Sequence, residues 1–144
     1  MAKDTAEIVK QLQLSADFKR FYNENKDYMI TQSLAQLLQQ FLDESGMTKA
    51  KAIKNAEMSE VYGYYIFAGS RVPERGKVLA LAIGMGLSLE KTQQLLKCAG
   101  YSTLYVKRPF DAVVLFGICK KLTVPQINEL LYDYGMDTLG QSTL

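Results

Sequence analysis

Thr48-Lys49-Ala50-Lys51-Ala52-Ile53-Lys54-Asn55-Ala56-Glu57-Met58-Ser59-Glu60-Val61-Tyr62-Gly63-Tyr64-Tyr65-Ile66-Phe67-Ala68-Gly69 holds two short helical patterns set end to end. In the first, Thr48 supplies the side-chain oxygen of an N-cap, and Ala52, Ile53 and Ala56 fall on one side. In the second, Ser59 is the cap, Val61, Tyr62, Tyr65 and Ile66 form the inner face, and Gly69 ends the helix. The spacing predicts helices over 48–56 and 59–67, joined by the tight Glu57-Met58.

Working outward, the segment before this pair is a strongly amphipathic helix. Leu34, Leu37, Leu38, Phe41 and Leu42 recur at helical spacing, with Ser33 as cap and Gly46 as stop. After Pro73 comes a more apolar helix through Val78, Leu79, Ala82 and Ile83. Toward the amino terminus, Ile8, Val9 and Leu12 form a stripe behind Asp4 and Thr5. Ser15 is the expected cap of a second short helix bearing Phe18, Phe21 and Tyr22. The polar run Asn23-Glu24-Asn25-Lys26-Asp27 is the expected linker. Three aromatics on two helical turns need apolar cover, either from the same chain's core or from a second copy in a homodimer.

The last third repeats itself. Residues 78–104 and 113–139 align at an offset of 35, with Val78/Val113, Leu95/Leu130, Leu96/Leu131 and Gly100/Gly135 among the identities. Ser88 and Thr123 are the matching caps. Each unit reads as a helical hairpin, and two stacked hairpins complete one core without extending into a solenoid. The stretch from Ala112 to Cys119 is apolar nearly all round, which predicts burial on most sides.

Composition limits the chemistry. The chain has 144 residues, 48% hydrophobic and 22% charged, the balance of a single globular domain. There is no histidine, so the commonest general base and nitrogen ligand are missing. The sequence offers no Ser/His or Cys/His pairing, phosphate-binding glycine loop or dense carboxylate cluster, and neither a cofactor nor a metal site is expected. Enzymatic activity is therefore set aside. Two cysteines, Cys98 and Cys119, read as reduced thiols; with no apolar run of membrane length and no secretory signal, a cytoplasmic location is expected. A net charge of +2 permits a nucleic-acid partner without demanding one.

Two short helices with supporting helices on either side are the layout of a helix-turn-helix. The first helix braces across a DNA backbone and the second offers its amino-terminal side chains to the major groove, which is about 12 Å wide. The residues facing away from the inner side are Ser59, Glu60, Tyr64 and, at the margin, Tyr65.

The runs Leu34-Ala35-Gln36-Leu37-Leu38, Thr48-Lys49-Ala50-Lys51-Ala52-Ile53 and Ser59 through Gly69-Ser70-Arg71-Val72-Pro73 resemble the λ-repressor-like, or XRE-type, helix-turn-helix transcriptional regulators. Tyr62 through Arg71, with the tail after Leu87, resembles a Firmicutes subgroup of small XRE-type proteins. The resemblance implies an all-α fold: a helical arm over 1–32, a DNA-binding core over 33–86 and a helical extension over 87–144 packed on that core. Seven or eight helices are expected. The resemblance also implies that Lys49 touches phosphate, that Ser59, Glu60, Tyr64 and Tyr65 face bases or sugar, and that Ser70, Arg71 and Arg75 clamp the backbone. The implied partner is double-stranded DNA. Thr48-Lys49 stands where many members carry Gln, Glu60 faces a polyanion, and Gly63 replaces a β-branched residue at about 1 kcal/mol against Ala. These departures, with the modest charge, support an alternative: a protein-interaction adaptor on the same scaffold that binds a protein partner and no DNA.

Overall fold

The sequence forms nine α-helices and no strand among the described residues, 3–140, of the computed structural model. The described chain divides into two compact units, with the boundary between Thr31 and Gln32.

The first unit is a small helical hairpin. Helix α1 (Thr5–Leu14) starts where Asp4 accepts from the Glu7 N–H, and α2 (Phe18–Asn25) starts at Asp17, whose carboxylate accepts from the Lys19 N–H. Ser15, expected to cap α2, instead ends α1 and donates its hydroxyl to the Gln11 carbonyl. The expected linker is also corrected. Residues 23–25 complete α2, and Lys26–Tyr28 continue as a 3₁₀ turn. The reason is Asn25, which is fully buried: its amide donates to the Phe21 carbonyl at 2.9 Å and accepts from Lys3 Nζ at 2.9 Å. A polar residue that reads as loop is here the peg holding the last turn. The chain becomes irregular only from Met29.

The second unit contains the other seven helices. Helix α3 (Leu34–Ser45) opens with a reciprocal capping box, Ser33 with Gln36, and ends at Gly46 with φ +71°. Helices α4 (Lys49–Asn55) and α5 (Glu60–Ala68) follow, capped by Thr48 and Ser59. Then come α6 (Arg75–Gly84), α7 (Leu89–Cys98), α8 (Pro109–Cys119) and α9 (Val124–Asp133). Helix α3 lies on α5 and α7, α4 lies on α5 and α6, and residues on both sides of position 87 share one core through Leu38, Ile53, Leu79, Leu95, Val114 and Ile127.

The internal repeat is structural. α7 and α9 occupy residues exactly one offset apart, with caps Ser88 and Thr123 and left-handed Gly100 and Gly135 past their ends. Gln93 grips the backbone of Leu104 through both its carbonyl and its N–H; Asn128, the equivalent residue, accepts from the N–H of Leu139. Contacts run from α6 to α7, α7 to α8, α8 to α9 and α9 back to α6, so the two hairpins close on one another. Where Gly86 turns the first hairpin at φ +69°, Lys121 adopts φ +57° in the second.

One expectation about this region fails. Helix α8 is not buried all round: Asp111, Val114 and Gly117 point inward, while Phe116 and Cys119 are exposed. Cys98 is half-buried and donates its thiol to the Gln32 carbonyl at 3.2 Å, and burial pushes its pKa up. Since the thiolate is the nucleophile, a thiol reagent near neutral pH is expected to modify Cys119 roughly tenfold faster than Cys98 in the folded monomer. Peptide mapping after timed alkylation measures this, and equal rates would contradict the packing around Cys98.

Candidate functional site

Helix α5 is seated by its least conspicuous residue. Gly63 is buried against α4; a Cβ there would lie 2.5 Å from Ile53 Cγ2. With Gly63 inward, Ile66 and Phe67 follow on the same side, one turn further on. The expected inner face is therefore wrong by a rotation: Val61 is 63% exposed and Tyr65 is exposed, while Tyr62 is half-buried. Every residue of α5 except Glu60 and Gly63 is apolar or aromatic, so periodicity could not select a side. Close approach to Ile53 does.

The rotation leaves an open outer surface. Ser59 accepts the Tyr62 N–H at 3.2 Å and fixes the start of the helix, and Glu60, Val61, Tyr64 and Tyr65 project outward from it. Lys49, the first residue of α4, reaches across so that its ammonium lies 6.0 Å from the Tyr64 ring centre and 5.4 Å from that of Phe67. The start of α4 and the outer side of α5 thus share one surface.

At the other end of α5, Ser70 closes the helix: its N–H and its hydroxyl both donate to the Tyr65 carbonyl. Arg71 is exposed, with its guanidinium carbon 6.0 Å from the centre of the Tyr62 ring. Lys77 approaches the same ring at 5.0 Å while donating to the Gly140 carbonyl at 2.9 Å. Burial raises the Tyr62 pKa, nearby Glu74 raises it further, and Arg71 opposes them. Two cations and one acid therefore stand near this ring.

Arg75 takes a different place from the one expected. Its guanidinium makes a bidentate pair with Asp111, at 2.9 and 3.0 Å, and donates to the carbonyls of Ser102 and Thr103. Those bonds occupy the fork that a phosphate would need. Arg75 fastens α6 to α8, and sequence spacing gives no sign of it because the partner lies 36 residues away. Of the predicted site residues, Lys49, Ser59, Glu60, Tyr64 and Tyr65 come together on one surface, Ser70 and Arg71 stand at the far end of α5, and Arg75 does not join them. Val61 was missed, and its only sequence signal was a position next to Glu60 on the capped first turn.

The rest of the unit supplies little alternative chemistry. Among the described residues, no group of three or more His, Cys, Asp or Glu could hold a metal ion, and every buried side-chain nitrogen or oxygen has a partner. An open cleft of about 600 Å³ runs between the start of α3 and the end of α5, bordered by Phe67, Arg71 and Cys98. Another, of about 930 Å³, lies among the ends of α4 and α6 and the α8–α9 turn. No described helix is long and apolar enough to cross a membrane. Comparisons with protein-family models, curated proteins and solved structures gave no match to this chain.

Proposed function

We propose that α4 and α5 form a helix-turn-helix of the λ-repressor-like type, and that the protein is a cytoplasmic, non-enzymatic transcriptional regulator that binds double-stranded DNA sequence-specifically. The observation that carries this reading is the seating of α5. Gly63, Ile66 and Phe67 anchor it, while Ser59, Glu60, Tyr64 and Tyr65 are exposed on the other side, with the Lys49 ammonium beside Tyr64 and Phe67 and with Arg71 just past the helix end. An exposed, capped helix start with cations close to the same helix suits insertion into a major groove. Lys49 and Arg71 take phosphates, the Ser70 hydroxyl supports the backbone contact, and Tyr64 and Tyr65 press on sugar or base edges. Glu60 accepts from the exocyclic amine of cytosine.

A second reading is favoured by one observation. The outer surface is more apolar than a groove-reading surface needs, with Val61 at 63% and Tyr65 at 47% exposure near the acid Glu60. A protein partner would use that apolar area, and the chain would then be an adaptor.

Selection from a random duplex library at two salt concentrations separates the readings. DNA reading gives an enriched motif whose affinity falls steeply as salt rises, through counterion release. Arg71→Ala should then weaken binding to all sequences alike and reduce the salt slope by about one. A library that stays unenriched even at low salt supports the adaptor instead.

A further inference from the structure

The repeat supplies its own standard for what should cover a hairpin. In the first hairpin, α4 lies on α6 so closely that a Cβ on Gly84 would sit 2.9 Å from the backbone of Ala52 and of Ala56, and Leu81 is completely buried. Helix α3 lies on α7, where Lys91 pairs with Glu44 and the Cys98 thiol reaches the Gln32 carbonyl; Leu95, on the same stripe, is completely buried. Thirty-five residues later the same positions are bare. Phe116, equivalent to Leu81, is 51% exposed, and Cys119, equivalent to Gly84, is exposed. On α9, Leu130 is only half-buried and Tyr134, equivalent to half-buried Ala99, is 72% exposed. Phe116 and Cys119 on α8, and Leu130 and Tyr134 at and just past α9, thus match positions that α4 and α3 cover in the first hairpin, and Cys119 also borders the cleft beside the end of α4.

The charges around that surface say what fits it. The α8 side carries exposed Lys107, Arg108, Lys120 and Lys121, and its one acid, Asp111, is held by Arg75. The α9 side, residues 122–140, carries exposed Glu129, Asp133 and Asp137 and no cation. Cations flank α8 at both its ends and acids lie along and just past α9, with Phe116 and Tyr134 exposed in the same hairpin, so a second copy turned by half a rotation sets the cations of α8 against the acids of α9.

We propose that the outer face of the α8–α9 hairpin is a homodimer interface: a second copy docks its own hairpin there, placing its basic α8 edge over the first copy's acidic α9 edge. Phe116, Cys119, Leu130 and Tyr134 of both copies take the cover that α3 and α4 give the first hairpin. The interface does not depend on what α5 binds.

Sedimentation equilibrium of the full chain tests this, and wild type is expected to be a dimer at micromolar concentration. Two charge-reversed proteins, Glu129→Lys/Asp133→Lys and Lys120→Glu/Lys121→Glu, alter exposed positions only and should each dimerise at least about tenfold more weakly. Mixed together, they should associate with each other and restore a dimer. Phe116→Asp should give a monomer with unchanged helical circular dichroism. A wild-type chain that is monomeric at about 100 μM overturns the proposal. So does a dimer that resists both reversals, or one that depends on the arm residue Phe18 and not on Phe116. Reversed chains that fail to associate on mixing overturn it as well.

Discussion

Arg75→Ala is expected to remove about 3–5 kcal/mol of stability, the loss typical when one partner of a buried ion pair is deleted. Asp111 is 1% exposed, and after the substitution its carboxylate keeps only the Tyr105 N–H among its observed partners. Losing the guanidinium leaves a nearly buried charge without its counterion. The same deletion frees the carbonyls of Ser102 and Thr103, which Arg75 also holds, and so loosens the segment that leads into α8. For a domain of this size the melting temperature should fall by roughly 10–15 °C. Arg75→Met combined with Asp111→Leu removes both charges and should recover most of the loss, because the desolvation penalty disappears with the pair. Urea unfolding of the three proteins measures this. A loss below about 1 kcal/mol for Arg75→Ala would show that the pair is solvated. Under conditions where Arg75→Ala stays folded, any DNA affinity should keep its full salt slope, unlike that of Arg71→Ala.

The contrast between Arg71 and Arg75 shows where sequence reading stops. Helix starts are local events: an oxygen on Ser33, Thr48, Ser59, Ser88 or Thr123 meets an N–H three residues on, so the sequence alone places these caps. Glycine stops at 46 and 69 are equally local, and the repeat is visible as a spacing. What decides a face or a partner is not local. Arg71 and Arg75 stand four residues apart in one basic stretch, yet one is exposed and the other is claimed by an aspartate in the next hairpin. Asn25 looks like linker until its amide is seen closing a helix. The all-apolar look of α8 implied burial, but the sequence cannot show that no described helix covers the second hairpin as α3 and α4 cover the first. In the candidate site, Ser59 was legible as the cap, and Glu60 and Tyr64 because they follow it, whereas the outward turn of Val61 and Tyr65 was fixed by a glycine on the opposite side.

Gly84→Ala is expected to destabilise the protein by about 3 kcal/mol, at the upper end for overpacking by one methyl. Helix propensity alone argues the opposite, since alanine is favoured over glycine within a helix by about 1 kcal/mol. Sterics decide the sign. The new Cβ would lie 2.9 Å from the Ala52 carbonyl oxygen and from the Ala56 nitrogen, both backbone atoms of α4, so relief requires α4 and α6 to separate. Trimming a neighbour cannot help, because Ala52 and Ala56 carry only a methyl already. Gly63→Ala offers a controlled comparison. Its Cβ would meet only side-chain atoms of Ile53, 2.5–2.7 Å away, and Ile53 is a buried side chain that can be shortened. Gly63→Ala alone should therefore destabilise by about 1–2 kcal/mol, and Ile53→Ala by about 2–4 through its cavity. Together they should lose clearly less than the sum, as expected for residues sharing one space. No such rescue by Ile53→Ala should appear with Gly84→Ala. Thermal and urea unfolding of these five variants settle the point. If Gly84→Ala raised the melting temperature, propensity would outweigh contact, and the close seating of α4 on α6 would be wrong. Because α4 also seats α5 through Gly63, the same separation should weaken whatever the outer face of α5 binds, even in molecules that remain folded.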